Sequence, residues 1–239
     1  MKDMCGRFVV TTDPARLAVE LDAVDETGAA GIAPNYNVAP STRIAAVVAD
    51  DHRRRIRLMR WGLLPPWARP DKPARPLINA RAETLTTSPA FRAAAASRRC
   101  LIPMDGYYEW KPNPDTPKGG RKTPFYFFRP DGAPLLVAGL WVPSPGAPSP
   151  DAMSATIVTT DAVGEFADVH DRMPLVLAPG DWDRWLDPQT PAPADLLASR
   201  PDTAPMAARE VSTLVNNVAN NSPELIESPG PGNQPVSLF

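Results

Sequence analysis

The chain has 239 residues, 43% of them hydrophobic, with a formal net charge of -2 and two cysteines, which gives ample material for a core and too few thiols for a disulfide framework. No run approaches the roughly 18 apolar residues of a membrane span and the start lacks the apolar stretch of a secretory leader, so a soluble intracellular protein without a membrane partner is expected. Neither Cys5 nor Cys100 has zinc-site spacing, and GxGxxG and GxxxxGK[ST] loops are missing, so no metal and no nucleotide cofactor is expected.

The near-neutral total hides an asymmetry. From His52 to Arg129 there are 17 Lys/Arg against five Asp/Glu, a balance of +12, while the remainder carries -14. A segment so basic suggests an electropositive face for a polyanion, unless it folds against the acidic segments. The 31 prolines and 14 glycines fall short of a low-complexity composition and punctuate many short elements within one domain.

In chain order, MCGRF poses the first choice. A buried thiol is the ordinary reading of Cys5. A chain start is the other: Lys2 after Met1 opposes methionine removal, whereas Cys5 after Met4 permits it. A chain beginning at Cys5 would carry an α-amine, reference pKa about 7.7–8.0, beside a thiol of about 8.5. GRFVV reads as a short strand that puts Cys5 and Arg7 near a sheet edge. TTDPARLAVEL reads as a capped helix with Pro14 in its first turn and Leu17 and Leu21 one turn apart. IAAVVAD and RRRIRLMRW flank Asp50-Asp51 as a β-hairpin, with His52 exposed in the polar segment.

LINARAET places Asn79 and Arg81 on one face if extended; Asn79 could hold an amine and Arg81 clamp a phosphate, with surface solvation the plain reading of Arg81. Ser88-Pro89 opens a helix, AFRAAAASRR, with arginines in its last turn. CLIP, GYYEW, FYFF, LLVAGLW and SATIVTT then form a succession of short strands, which indicates a largely antiparallel β core. PNPDTPKGGRKTP and PSPGAPSPDAM are the connecting loops. Alternation sets Glu109 on the face opposite Tyr108 and Trp110, as a solvent-side carboxylate or as an acid/base with a raised pKa. His170 follows a short helix, DAVGEFAD, and precedes the strand MPLVL; next to Asp171 it reads as a structural histidine or a catalyst. DWDRWL is a helix burying its aromatics. Trp67 and Trp110 offer faces for base stacking, though core packing is the commoner fate of tryptophan.

CGRF after a Met, YNVAPST, RWGLLPPW, LINARAET, CLIPMDGYYEWK and HDRMPLVL, in this order and spacing, resemble the SRAP family of abasic-site processing proteins, also called SOS response-associated peptidases. The resemblance runs from Cys5 to about Val215. It implies an α+β fold: a single domain with a mostly antiparallel β-barrel-like core and short peripheral helices. The expected domain is 5–228, with 1–4 an extension absent from or removed in the mature protein and 229–239 a flexible tail.

The resemblance implies an enzyme that crosslinks itself to abasic sites in single-stranded DNA through a thiazolidine on Cys5, with autopeptidase and lyase activities associated with the family. Asn79 is similar to the residue that orients the α-amine, Glu109 to the proton shuttle, and His170 to a sugar-hydroxyl donor or partner in proton transfer and reversal. Arg7 and Arg81 resemble phosphate contacts, and Pro40, Trp67 and Trp110 the wall beside a bent strand. It implies no cofactor, a cytoplasmic protein that is nucleoid-associated when bound to DNA, and replication-fork partners by analogy; no feature speaks for an oligomer. An internal Cys5 has an amide where the chemistry needs an amine. Two alternatives stay open: a cysteine peptidase using Cys5 and His170, and a noncatalytic single-strand-binding module.

Overall fold

The computed structural model describes residues 5–28, 32–50, 53–65, 67–68, 74–114, 120–144, 152–201, 203 and 205–229. The expectations for residues 1–4, His52 and 230–239 lie outside these residues, as do the middle portions of both long loops.

The strands are β1 (Arg7–Val10), β2 (Ala23–Asp25), β3 (Asn35–Val38), β4 (Arg43–Asp50), β5 (Arg53–Trp61), β6 (Asn79–Arg81), β7 (Arg99–Met104), β8 (Gly106–Pro112), β9 (Lys122–Phe128), β10 (Leu135–Pro143), β11 (Met153–Asp161), β12 (Arg172–Pro174) and β13 (Ala207–Glu210). Between them lie the short helices α1 (Pro14–Glu20), α2 (Arg92–Ser97), α3 (Trp182–Leu186) and α4 (Ala194–Ala198). One sheet runs β13-β9-β8-β1-β3 and the other β12-β11-β10-β7-β4-β5-β2, with β6 added on β11. Most pairs are antiparallel, including the β4–β5 hairpin from Arg43↔Arg60 to Asp50↔Arg53. The pairs β2–β5 and β6–β11 are parallel, so the architecture is mixed.

The barrel-like core resolves differently from expectation. Strand β11 meets β5 in parallel over two residue pairs only, against six in the β7–β10 ladder, so the strands make no even ring. The fold is α+β, two sheets with a few short helices. Its larger sheet is buried on both sides: Ala45 and Val47 face one apolar cluster with Leu17, Leu21 and Trp185, while Ile44, Ala46 and Val48 face a second with Cys5, Phe8 and Trp61. Burial on both faces explains why IAAVVA is a continuous apolar run.

Three local expectations change. Strand β1 is no edge strand, because β3 and β8 pair with it on either side. Helix α2 starts at Arg92, and the residues after Ser88 form turns. Its expected last-turn Arg99 instead opens β7, buried, where it still serves the helix end by donating from Nη1 to the carbonyls of Ala95 at 2.8 Å and Ala96 at 3.0 Å. Helix α1 is as expected: Asp13 caps it through Ala15 N–H at 2.7 Å, and Leu17 is buried.

Part of the basic segment folds against acidic partners. Arg54 pairs with Asp183, and Arg55 and Arg57 share Glu26 and Asp50. That portion of the +12 balance is therefore compensated inside the molecule.

Candidate active site around Cys5

Antiparallel pairing of β1 with β8 sets Phe8 opposite Tyr107 and Arg7 opposite Tyr108. On the other side of β8, the close fit to β9 depends on Gly106: a Cβ there would stand 2.4 Å from the Phe127 carbonyl oxygen and 2.5 Å from the Tyr126 ring. Asp105 locks the preceding turn, accepting from the Thr12 hydroxyl at 2.5 Å and its N–H at 3.0 Å. This register carries the segment ahead of β1 past the side chain of Glu109. The Cys5 N–H donates to Glu109 Oε1 at 2.5 Å, and Cys5 itself takes a left-handed φ of 24°. For a residue with a Cβ this is a rarely populated backbone.

Glu109 is buried, 3% exposed, and so is no solvent-side carboxylate. Alternation does hold: Tyr107 packs with Cys5 in one cluster, while Tyr108 and Trp110 belong to another. Burial pushes the Glu109 carboxyl up to about 8, with Asp171 adding to the rise; hydrogen bonds from the Cys5 and Trp110 backbone and the charge of Lys122 pull the other way. Burial, with Glu109 second, also pushes the Cys5 thiol well above its ordinary value. The pair therefore consists of a carboxyl that carries a proton at neutral pH and a thiol that keeps its own.

Asn79 opens β6, level with Ile157 of β11. The Ile78 carbonyl ahead of it is fixed by the Trp61 indole N–H at 3.0 Å and the Ile157 N–H at 3.1 Å. From there Asn79 Nδ2 reaches the Cys5 carbonyl oxygen at 3.4 Å. Cys5 is thus held by Glu109 on its nitrogen and approached by Asn79 on its carbonyl.

His170 follows two residues of the apolar cluster that contains Cys5. Phe166 and Val169 share the Cys5 cluster, the Phe166 ring lying 5.2 Å from that of Phe127. The imidazole side chain is 8% exposed, and its Nδ1 accepts from the Arg172 N–H at 3.1 Å and lies 3.0 Å from Asp171 Oδ1.

The expected DNA contacts divide. Pro40, Trp67 and Arg81 are exposed. Trp110 is half-buried against Tyr108, its indole N–H donating to Asn216 Oδ1 at 2.7 Å. Arg7 is turned to internal use: Nη1 donates to Asn37 Oδ1 at 2.8 Å and to the Val215 carbonyl at 2.9 Å. Buried Asn37, which sequence reasoning passed over within YNVAPST, spreads its Nδ2 over the carbonyls of Val215, Asn217 and Asn220 at 3.0–3.2 Å. Tyr107, which shares the Cys5 cluster, and Arg172, whose N–H reaches His170, were also passed over, although both lie inside quoted motifs. Among the described residues no cluster of three or more His, Cys, Asp or Glu could hold a metal ion, and no helix is long and apolar enough to cross a membrane.

Comparison with known proteins gives consistent relatives. The abasic site processing protein YoaM of Bacillus subtilis is 39% identical over 231 residues, covering 94% of this chain and 98% of its own. The abasic site processing protein YedK of Escherichia coli is 34% identical over 230 residues, covering 94% and 99%. A crystal structure from Bacteroides thetaiotaomicron superposes with a TM-score of 0.79 at 23% identity, covering 94% of this chain and 99% of that one, which speaks to the fold. A phage-related protein from Bordetella bronchiseptica gives 0.68 at 31% identity, covering 87% and 94%. The family profile described as SOS response associated peptidase (SRAP) matches residues 4–218, and with that span the chain belongs to the SRAP family.

Proposed function

We propose that this protein recognises abasic sites in single-stranded DNA and captures them covalently as a thiazolidine on Cys5, in a form whose chain begins at that residue. The observation that carries the reading is the 2.5 Å contact between the Cys5 nitrogen and Glu109. It puts a buried carboxyl, pushed up to about 8, on the one atom that must act as the first nucleophile. The relatives' names, abasic site processing proteins, support the choice of substrate.

The Cys5 amine adds to the C1′ aldehyde of the ring-opened sugar, giving a carbinolamine. Glu109 donates a proton to the departing hydroxyl and takes one back from the nitrogen, so that water leaves and a neutral imine forms beside a reprotonated Glu109. The Cys5 sulfur then adds to the imine carbon, its proton passing by way of Glu109 to the nitrogen. One water is lost overall. Asn79 steadies the Cys5 backbone from the carbonyl side, and His170 serves the sugar hydroxyl and the reverse reaction. Arg81 meets phosphate, and Pro40, Trp67 and Trp110 line the strand's path. Arg7 belongs to the support of the site, given its bonds to Asn37 and Val215.

The order, amine first and sulfur second, suits a thiol that burial keeps protonated. The same fact weighs against a cysteine peptidase built on Cys5 and His170, since such a nucleophile works as a thiolate with a lowered pKa. Self-cleavage ahead of Cys5 and lyase-type release belong to the proposal as the routes by which the amine appears and the crosslink reverses. The acting unit is residues 5–228, a monomer working in the cytoplasm on DNA, alongside replication-fork proteins.

Intact mass spectrometry tests the reading. The expected result is a mass beginning at Cys5 that gains one abasic oligonucleotide less one water. A protein beginning at Cys5 that gains no such mass ends the proposal.

A further inference from the structure

The β4–β5 hairpin sets Arg43 directly opposite Arg60, so the two side chains leave the same face of the sheet from neighbouring positions. Like charges placed in this way repel and cost stability unless something offsets them. The rest of β5 is offset: Arg54 meets Asp183, and Arg55 and Arg57 share Glu26 and Asp50. Among the described residues no carboxylate meets Arg43 or Arg60. Their one side-chain bond there runs from Arg60 Nη2 to the Ser41 hydroxyl at 2.8 Å. Arg43 is exposed and Arg60 half-buried, so both guanidiniums are open to a ligand.

The pair stands at the same end of the molecule as the site. Ser41, which follows exposed Pro40, takes a left-handed φ of 78° and donates its N–H to the Trp61 carbonyl at 2.8 Å. Trp61, next after Arg60, returns a bond from its N–H to the Thr42 carbonyl at 2.9 Å. Its indole N–H holds the Ile78 carbonyl at 3.0 Å, directly ahead of Asn79. One tryptophan thus fixes the Pro40 turn, the arginine pair and the strand of Asn79 in a single frame.

Two guanidiniums whose Cβ atoms are about 5 Å apart can fork onto the two non-bridging oxygens of one phosphodiester. The shared anion turns their mutual repulsion into attraction. We propose that Arg43 and Arg60 form a phosphate-binding site for the backbone of the DNA strand outside the abasic nucleotide, beyond Pro40. This rests on the reading of single-stranded DNA as substrate. Free phosphate has the same chemistry, and the experiment separates the two sources.

The test is fluorescence anisotropy with a single-stranded oligonucleotide carrying a tetrahydrofuran abasic analogue, which fixes the register and has no aldehyde to capture. A neutral methylphosphonate replaces one backbone phosphate at a time, for wild type, Arg43→Gln and Arg60→Gln. One flanking position should weaken wild-type binding by about tenfold and leave both variants nearly indifferent. Each variant should also lose about 0.7 from the slope of log affinity against log salt. Without DNA, Arg43→Gln should melt at or above the wild-type temperature, since it relieves a repulsion, so a folding defect does not imitate the loss. Equal methylphosphonate profiles in wild type and both variants overturn the proposal. So does inorganic phosphate that raises the melting temperature of wild type alone while no methylphosphonate position matters, in favour of a free-anion site. Crosslinking to a true abasic oligonucleotide is scored separately: its absence in a protein starting at Cys5 removes the capture reading, while the methylphosphonate result decides the phosphate site.

Discussion

The backbone nitrogen of Cys5 lies 2.5 Å from Oε1 of Glu109, a contact between residues 104 positions apart. With a peptide bond ahead of Cys5 it is a hydrogen bond from an amide. With a free amine the same geometry gives an acid and a base in direct contact, and the ammonium form would draw the carboxyl back below about 8. The pair is thus arranged to exchange a proton in either direction.

Replacing Glu109 by Gln keeps the shape and removes the exchangeable proton. The capture rate should drop by about a hundredfold or more, while affinity for undamaged single-stranded DNA is retained. Quenched time courses on an abasic oligonucleotide measure this, and a rate equal to wild type would return Glu109 to a structural role.

The carboxyl also couples stability to pH in the form whose Cys5 is internal. Its folded-state value of about 8 exceeds the ordinary 4.5, so between those limits the folded state holds a proton that the unfolded state has released. The group's contribution is fully present below the lower limit and is lost as pH rises through the upper one. Thermal melts should therefore show wild type losing ground relative to Glu109→Gln from about pH 5 to about pH 8. Parallel pH profiles would contradict the burial of an ionisable group.

Removal of the thiol separates binding from capture. Cys5→Ala leaves an amine able to form an imine and nothing to close the ring, so a denaturation-resistant complex should be lost and salt-sensitive binding kept. Denaturing electrophoresis beside fluorescence anisotropy reads both, and survival of a stable adduct would exclude Cys5 as its seat.

Arg81 and Arg7 should respond differently to charge removal. Exposed Arg81, changed to Ala, should reduce the slope of log affinity against log salt by about 0.7, one phosphate's worth on a single strand. Arg7→Ala should chiefly lower stability, because its partners are Asn37 and Val215. Salt titrations of both variants decide it, with an unchanged slope for Arg81→Ala removing that residue from the interface.

Arg99 offers a test remote from the chemistry. The residue is 2% exposed, and its guanidinium donates to backbone carbonyls of Ala95, Ala96, Trp185, Asp187 and Thr190, tying α2, α3 and the following turn to β7. Arg99→Ala strands several of these acceptors and should cost about 3 kcal/mol or more, read from urea unfolding midpoints. A change under about 1 kcal/mol would mean that water replaces the guanidinium easily.

How much of this was legible in the sequence varies by residue. Strong β-branched and aromatic runs announced β7 to β11, and the capping signal at Asp13-Pro14 announced α1, because those signals are local. The opposite faces of Tyr108 and Glu109 followed from the pleat. What lay on each face did not: Glu109 is covered because β1 inserts beside β8, a pairing of distant segments that alternation cannot specify. Arg7 was read as a phosphate contact, and its bonds to Asn37 and Val215, 30 and 208 positions away, could not be read from the sequence. The basic balance of 52–129 was countable, but its partial compensation by Glu26 and Asp183 depends on tertiary contacts.

Strand β1, laddered to β3 on one side and β8 on the other, has a mechanical consequence. A DNA strand attached at Cys5 and hauled by a moving machine would load the protein through the end of an interior strand. Pulled along its length, β1 resists in shear, with the bonds of both ladders strained together instead of opened one at a time. The attachment point would then yield less readily than a strand of the same length at the edge of a sheet.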